Sequence, residues 1–163
     1  MGTRYKGTEQ ETDTLDSFIK LVRTYEALSS RLYMFFEKNG LTESQFYALD
    51  ALFNLGELNQ KELGKKISRS EGNITMVVNN LLKRKLIKKN KCGDDKRIFL
   101  IKLTPVGKDL YEKVFPDFLK LLMNEFEEIK GKEHRDFQKI CKRIGIKKPI
   151  PTLSDLARIS KKK

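Results

Sequence analysis

The chain has 163 residues, of which 34% are charged and 39% hydrophobic, and its formal net charge is +12. That length predicts one domain with room for an appended helical element, and the longest apolar runs, a few residues long such as Ile98 to Ile101, fall far below the ~20 residues that span a membrane. Met1 to Thr14 lacks an apolar signal core, and two cysteines (Cys92, Cys141) with one histidine (His134) are too few for a disulfide scaffold or a zinc cluster, so a cytoplasmic chain without membrane contact, metal or cofactor is expected.

Thr12 to Lys38 predicts a long helix. Leu15, Phe18, Val22, Tyr25, Leu32 and Phe36 keep a three-four spacing, broken only at Ser29, and Asn39-Gly40 ends it. Thr42 and Gln45 form a capping box that opens a second helix, with Leu41 placed to staple against Phe46. Phe46, Leu49, Leu52 and Phe53 make its apolar face, and Gly56 stops it. Asn59 and Glu62 cap a short third helix with Leu63 and Ile67 inside. After a tight connection at Ser68-Arg69, Ser70 is a good N-cap for a fourth helix, Glu71 to Arg84.

Beyond Leu86 the period changes. Ile87 to Lys91 and Arg97 to Leu103 predict two strands around the turn-forming run Cys92-Gly93-Asp94-Asp95. Thr104-Pro105 then opens a helix carrying Leu110, Val114, Phe118, Leu121, Leu122 and Ile129, which Pro116 should kink or split. Lys130-Gly131-Lys132 breaks the pattern. A last helix from Glu133 carries Phe137, Ile140, Cys141 and Ile144, with Cys141 expected in the core and His134 expected as a solvated surface residue. The tail from Gly145 to Lys163 holds Pro149 and Pro151 and is expected to be partly disordered, with a helical turn or two at Ser154 to Ser160. The fold class is therefore mainly α: a helix-turn-helix with a two-stranded β wing between long flanking helices.

Charge is concentrated in the middle of this order. Residues 1–58 carry net −3, residues 59–102 net +9, and residues 103–163 net +6. A generally lysine-rich composition would explain the C-terminal excess but not an acidic first third. A positive field of this kind attracts polyanions and gains from counterion release. On the fourth helix, Ile74, Val77, Val78, Leu81 and Leu82 form one stripe that must face the core. The other face shows Gly72, Asn73, Thr75, Met76, Asn79, Asn80 and Lys83, with no carboxylate beyond Glu71. Asn can pair with adenine edges, Thr or Met can touch a thymine methyl, and Lys can meet phosphate or guanine. An ordinary solvated helix face mixes Glu with Lys. Lys83 to Lys91 adds six basic residues leading into the wing, a phosphate-binding flank beside such a helix. The candidate DNA contacts are Ser70, Gly72, Asn73, Thr75, Met76, Asn79 and Lys83 of the helix and Lys91, Asp95, Lys96 and Arg97 of the wing. No catalytic set can be assembled around a single histidine, and Gly64-Lys65 lacks the glycine and the Ser/Thr of a phosphate-binding loop, so no enzyme is expected.

The stretch from Leu41 to Gly107 resembles the multiple-antibiotic-resistance regulator (MarR) family of winged-helix regulators. The matching pieces are Leu41-Thr42-Glu43-Ser44-Gln45, Gln60-Lys61-Glu62-Leu63-Gly64, Ser70 to Leu82, and Leu86-Ile87. The most specific is Asp95-Lys96-Arg97 followed by Leu103-Thr104-Pro105-Val106-Gly107. The resemblance extends more loosely over residues 12–145. It implies a homodimer on a pseudo-palindromic duplex site, commonly as a repressor, released by a small anionic aromatic effector or, in other relatives, by cysteine oxidation. It implies a dimerisation helix at 12–40, a DNA-binding domain at 41–107, C-terminal dimerisation helices at 108–145 and a basic tail at 146–163. Position by position, Gly72, Asn73, Thr75, Met76 and Asn79 would approach bases, Arg97 would enter the minor groove, and Asp95 would orient it. Lys85 departs from the pattern, standing where the family often has a glycine, and this bears on the exit angle of the wing. The apolar stripes of the first and last helices also exceed what a small winged core can cover, which independently points to a second copy. Two alternatives stay open: a winged helix used for protein or RNA contacts, and a redox-switched regulator in which Lys91 and Lys96 activate Cys92.

Overall fold

Three capping boxes set three helix starts. The computed structural model describes residues 3–67, 71–92 and 95–146, and all their side chains except those of residues 71, 91–98 and 146. Helix α1 (Glu9–Lys38) begins three residues earlier than the apolar spacing predicts. Thr8 accepts the Glu11 N–H while the Glu11 carboxylate accepts the Thr8 N–H at 2.9 Å, so a polar turn extends the helix. Its end lies at Asn39, where Gly40 takes φ +62° and the Leu41 N–H returns to the Phe36 carbonyl at 2.9 Å. Helix α2 (Glu43–Leu55) carries the expected Thr42/Gln45 box and stops at Gly56, φ +80°. Helix α3 (Gln60–Lys66) carries the Asn59/Glu62 box. Helix α4 runs Glu71–Lys83; the expected Ser68-Arg69 connection and Ser70 cap lie outside the described residues.

The wing is larger than two strands. Strands β2 (Ile87–Cys92) and β3 (Asp95–Leu103) pair antiparallel from Ile87 opposite Leu103 to Lys91 opposite Phe99, with a register shift before Cys92 meets Asp95. A third strand, β1 (Leu58–Asn59), pairs with β3 through Leu58 opposite Ile101, making the order β1-β3-β2. Two residues carry no periodicity, so β1 was not legible in the sequence. Helix α5 (Pro105–Glu125) stays one helix through Pro116, contrary to the expected split, and Ile129 falls beyond it. Pro116 and Glu112 are both exposed. On an exposed helix face water can satisfy the carbonyl that Pro116 cannot bond, so the break is not forced. Helix α6 (Lys132–Cys141) continues as a π-helical turn, Lys142–Ile146. The expected tail turns at Ser154 to Ser160 lie outside the described residues.

The chain divides into two compact units, Met1–Leu121 and Leu122–Lys163. The first unit is built on an aromatic cluster. Phe46 lies 4.6 Å from Phe118 and 5.1 Å from Phe36 between ring centroids, and Phe53 lies 4.5 Å from Tyr111. Leu49, Leu63, Val78, Leu81 and Ile101 complete a core shared by α2, α3, α4 and the sheet. Fully burying each such side chain stabilises by about 1.5–3 kcal/mol. The Tyr111 hydroxyl donates to Asp50 Oδ1 at 2.6 Å, anchoring α5 to α2. In the second unit, Phe126 stacks on His134 at 6.0 Å and packs near Phe137 at 6.2 Å. His134 is thus half-buried against a ring rather than freely solvated, and Cys141 is half-buried rather than core. Among the described residues, no helix is long and apolar enough to cross a membrane.

Candidate nucleic-acid interface

Helix α4 is placed by what it buries. Ile74, Val77, Val78 and Leu81 are buried, as the apolar stripe requires, while Leu82 is half-buried at its edge. Gly64 of α3 lies against Ile74: a Cβ built there would stand 3.4 Å from its side chain, at ordinary contact distance. What remains outward is Gly72, Thr75, Met76, Asn79, Asn80 and Lys83, all exposed, with Asn73 half-buried at the margin. Met76 is 61% exposed, too much for a core methionine. Five of the seven helix candidates therefore share one solvent face, Asn73 borders it, and Ser70 lies outside the described residues. Lys91 belongs to β2 and Asp95, Lys96 and Arg97 to β3. Their side chains, and the Cys92 thiol weighed as a redox group, lie outside the described ones.

The surrounding charge is solvated and of one sign. Lys61, Lys65 and Lys66 of α3, Lys83 at the end of α4, and Lys85, Lys88 and Lys89 beyond it are all exposed. Such cations can each meet a phosphate. The Glu62 carboxylate in this neighbourhood is occupied by its cap, accepting the Asn59 N–H at 3.0 Å.

Several positioning contacts were missed by sequence reasoning. Gln60, the first residue of α3, donates from Nε2 to Thr75 Oγ1 at 2.8 Å and accepts from Lys89 Nζ at 3.4 Å. Arg84, read only as part of a basic run, donates to the Gly40 carbonyl at 2.7 Å and to Gln45 Oε1 at 3.2 Å. It ties the end of α4 to the α1–α2 corner. Lys85 takes φ +57°, alone among the described non-glycine residues. The left-handed conformation that the family's glycine would supply is thus kept by a lysine. The Lys85 N–H closes on Leu82 O at 2.9 Å and the Leu86 N–H on Leu81 O at 3.0 Å. Thr104 then grips this exit: its hydroxyl donates to Lys85 O at 2.7 Å and accepts the Gly107 N–H at 3.1 Å.

A crevice of about 720 Å³ opens beside this corner, lined among others by Tyr25, Leu32, Tyr33, Phe36, Gln45 and Arg84. Among the described residues, no group of three or more His, Cys, Asp or Glu side chains is placed to hold a metal ion.

Comparison with known proteins places this geometry. Residues 41–99 match the model of the MarR family. A transcriptional regulator of Bacillus subtilis strain 168, MhqR, is 26% identical over 133 residues, covering 82% of this chain and 92% of the relative. Among solved structures, Bordetella bronchiseptica BpsR superposes with a TM-score of 0.70 at 23% identity, covering 78% of this chain and 97% of its own. A MarR-family regulator from Silicibacter pomeroyi gives 0.69 at 18% identity, covering 88% and 100%. At those identities the two structures speak for the fold alone. Family match and relatives agree with an exposed carboxylate-poor helix beside a wing: residues 41–99 match the MarR family, and the relatives that the chain resembles over most of its length are transcriptional regulators.

Proposed function

We propose that the protein binds a pseudo-palindromic operator as a homodimer, reads it in sequence-specific fashion, and represses transcription until a small-molecule effector releases it. The observation that carries this is the face of α4. Gly72, Thr75, Met76, Asn79 and Lys83 stand exposed opposite the buried Ile74, Val77, Val78 and Leu81, inside a segment of net +9. In this reading Gly72, Asn73, Thr75, Met76 and Asn79 approach base edges in the major groove. Ser70, Lys83, Lys91 and Lys96 meet phosphates, and Arg97, oriented by Asp95, enters the minor groove. Residues 41–107 form the DNA-binding domain, 12–40 and 108–145 supply the dimer, and 146–163 form a basic tail.

The dimer is supported by apolar surface that each unit leaves uncovered. On α1, Phe18 is 62% and Tyr25 67% exposed; in the second unit Phe137, Ile140 and Ile144 are exposed as well. Exposure on this scale marks an association surface. The effector is supported by the crevice beside Arg84 and by BpsR, whose DNA binding is regulated by 6-hydroxynicotinic acid. A small aromatic acid would lie between Tyr25, Tyr33 and Phe36 with its carboxylate at the Arg84 end, away from Glu37 and Glu43, which also border the crevice.

The test is fluorescence anisotropy on a duplex selected from a random library, with single strands and RNA of matched length as competitors. Two half-sites about one helical turn apart are expected. Inserting about five base pairs between them should abolish specific binding, because it turns the half-sites to opposite sides of the duplex. Unchanged affinity after insertion, or preference for RNA, would reject the reading, as would a monomer mass by light scattering at micromolar concentration.

A further inference from the structure

We infer that Gln60 is a specificity-determining positioning residue: its side-chain amide locks Thr75 of α4 and Lys89 of β2 into one register, so that helix and wing base address DNA as a single rigid surface. The inference rests on the proposed reading of bases by α4. Gln60 has no place in that reading, and sequence spacing does not link it to either partner. It stands 15 residues from Thr75 and 29 from Lys89 along the chain, yet its two amide atoms divide between them.

The chemistry of the amide suits this task. Nε2 can only donate and Oε1 can only accept, so one Gln side chain can join a hydroxyl oxygen and an ammonium at once. Nε2 donates to Thr75 Oγ1 at 2.8 Å, close to the ideal distance, while Oε1 accepts from Lys89 Nζ at 3.4 Å, a looser and water-exposed bond. Gln60 is itself held. It is the first residue of α3, directly after the Asn59 cap, and it is only half exposed. Gly64 of α3 lies against Ile74 of α4. The amide therefore reports the position of a well-anchored helix, and Thr75 takes its rotamer from that anchor. A β-branched threonine has few rotamers to choose among, so a firm bond to its hydroxyl favours one direction for its methyl and hydroxyl.

The consequence falls on discrimination rather than on affinity in general. A side chain that must meet one base edge loses selectivity when its rotamer is freed, because wrong bases become as easy to meet as the right one. Lys89 contributes charge whether or not it is tethered, so phosphate binding and its salt dependence survive. Gln60→Ala should lower the ratio of specific to scrambled duplex affinity by about fivefold to tenfold. Affinity for scrambled duplex and the slope of log K against log salt should not move.

The experiment is a double-mutant cycle on the full chain, using a duplex selected by the wild type and a scrambled duplex of equal length. Gln60→Ala, Thr75→Val and the double variant are compared by anisotropy at three salt concentrations, with Asn79→Ala run beside them. Thr75→Val keeps the shape but removes the acceptor, so it should lose discrimination by itself and leave Gln60→Ala without further effect. Thr75→Ser keeps the acceptor and should retain the dependence on Gln60. Thermal midpoints identify a folding defect, and Gln60→Ser supplies a second, smaller polar variant should Gln60→Ala be unstable. Equal weakening of both duplexes, additive effects of Gln60→Ala and Thr75→Val, or no effect of either overturns the inference. If Asn79→Ala loses discrimination while Thr75→Val does not, the reading helix stands and the role of Gln60 fails. If neither loses it, the reading of α4 itself has failed.

Discussion

Gly107→Ala tests whether the exit of α4 is clamped from below. On local preference alone the change should help, because Gly107 lies inside α5 and alanine favours a helix interior over glycine by up to about 1 kcal/mol. The tertiary surroundings reverse the sign. A Cβ at 107 would overlap the Leu86 carbonyl oxygen and stand 2.9 Å from its carbon, where non-bonded carbons rest about 3.5–4.0 Å apart. Leu86 O also accepts the Thr104 N–H at 3.0 Å, so moving it away strains that bond. Overpacking costs about 1–3 kcal/mol and the weakened hydrogen bond up to about 1 kcal/mol, for a net loss of up to about 3 kcal/mol once the helix gain is subtracted. In a domain of this size that lowers the thermal midpoint by up to about 10 °C. Gly72→Ala is the matched control, also near a helix start, with nothing within 4 Å of the added carbon; it should be neutral or slightly stabilising. Urea unfolding followed by far-UV circular dichroism measures both. Equal stability of the Gly107→Ala and Gly72→Ala proteins would refute the clamp.

Lys85→Gly should raise the urea midpoint by the equivalent of about 0.5–1 kcal/mol, since glycine removes the steric cost of φ +57° at the price of a looser unfolded chain; a loss of stability would mean the lysine stem packs usefully. Tyr111 is held to about pKa 12 from 10.0, first by burial and then by the Asp50 carboxylate that its hydroxyl meets. Its folded pKa is raised, so its contribution is complete below pH 10 and is lost between pH 10 and 12, to the extent of about 2–3 kcal/mol. The stability gap between wild type and Tyr111→Phe should therefore close across that window in paired urea titrations, and a pH-independent gap would contradict it. Asn79→Ala should cost about 1–3 kcal/mol on the selected duplex and relax preference at one or two positions. Arg97→Ala should weaken nearly all sequences and lower the salt slope by about one per subunit. An unchanged slope for Arg97→Ala, or equal loss on both duplexes for Asn79→Ala, would remove the respective assignment.

Which parts of this molecule could be seen in the sequence follows from the range of the forces involved. The boxes at Thr42/Gln45 and Asn59/Glu62 close within three residues and were legible. The same pattern at Thr8/Glu11 is less legible because no apolar residue follows it until Leu15, so no apolar period marks a helix there. The stripe of α4 was legible because burial repeats every three to four residues, and the exposed face was then fixed by subtraction. Pro116 misled because its cost depends on whether the orphaned carbonyl reaches water, a fact of exposure rather than of order.

The contacts that define the interface more finely are of another kind. Gln60 to Thr75, Arg84 to Gly40 and Gly107 to Leu86 join residues 15 to 44 positions apart, through single polar atoms or a single missing carbon. No period announces them. They also share a direction: Gln60 fixes a side chain in the middle of α4, while Arg84 and the Thr104–Gly107 grip fix its C-terminal end. That end is where a left-handed lysine turns the chain into the wing. The separation and angle between α4 and the wing are therefore held by a few directional bonds around the turn at Lys85, not by the apolar core alone. Directional bonds of this sort can be exchanged for others at modest cost. Arg84, which borders the crevice and holds the α1–α2 corner through Gly40 and Gln45, is the group through which an acid bound in that crevice would reach α4. An effector carboxylate that drew the guanidinium from Gly40 would loosen one end of the reading helix while leaving its buried stripe intact.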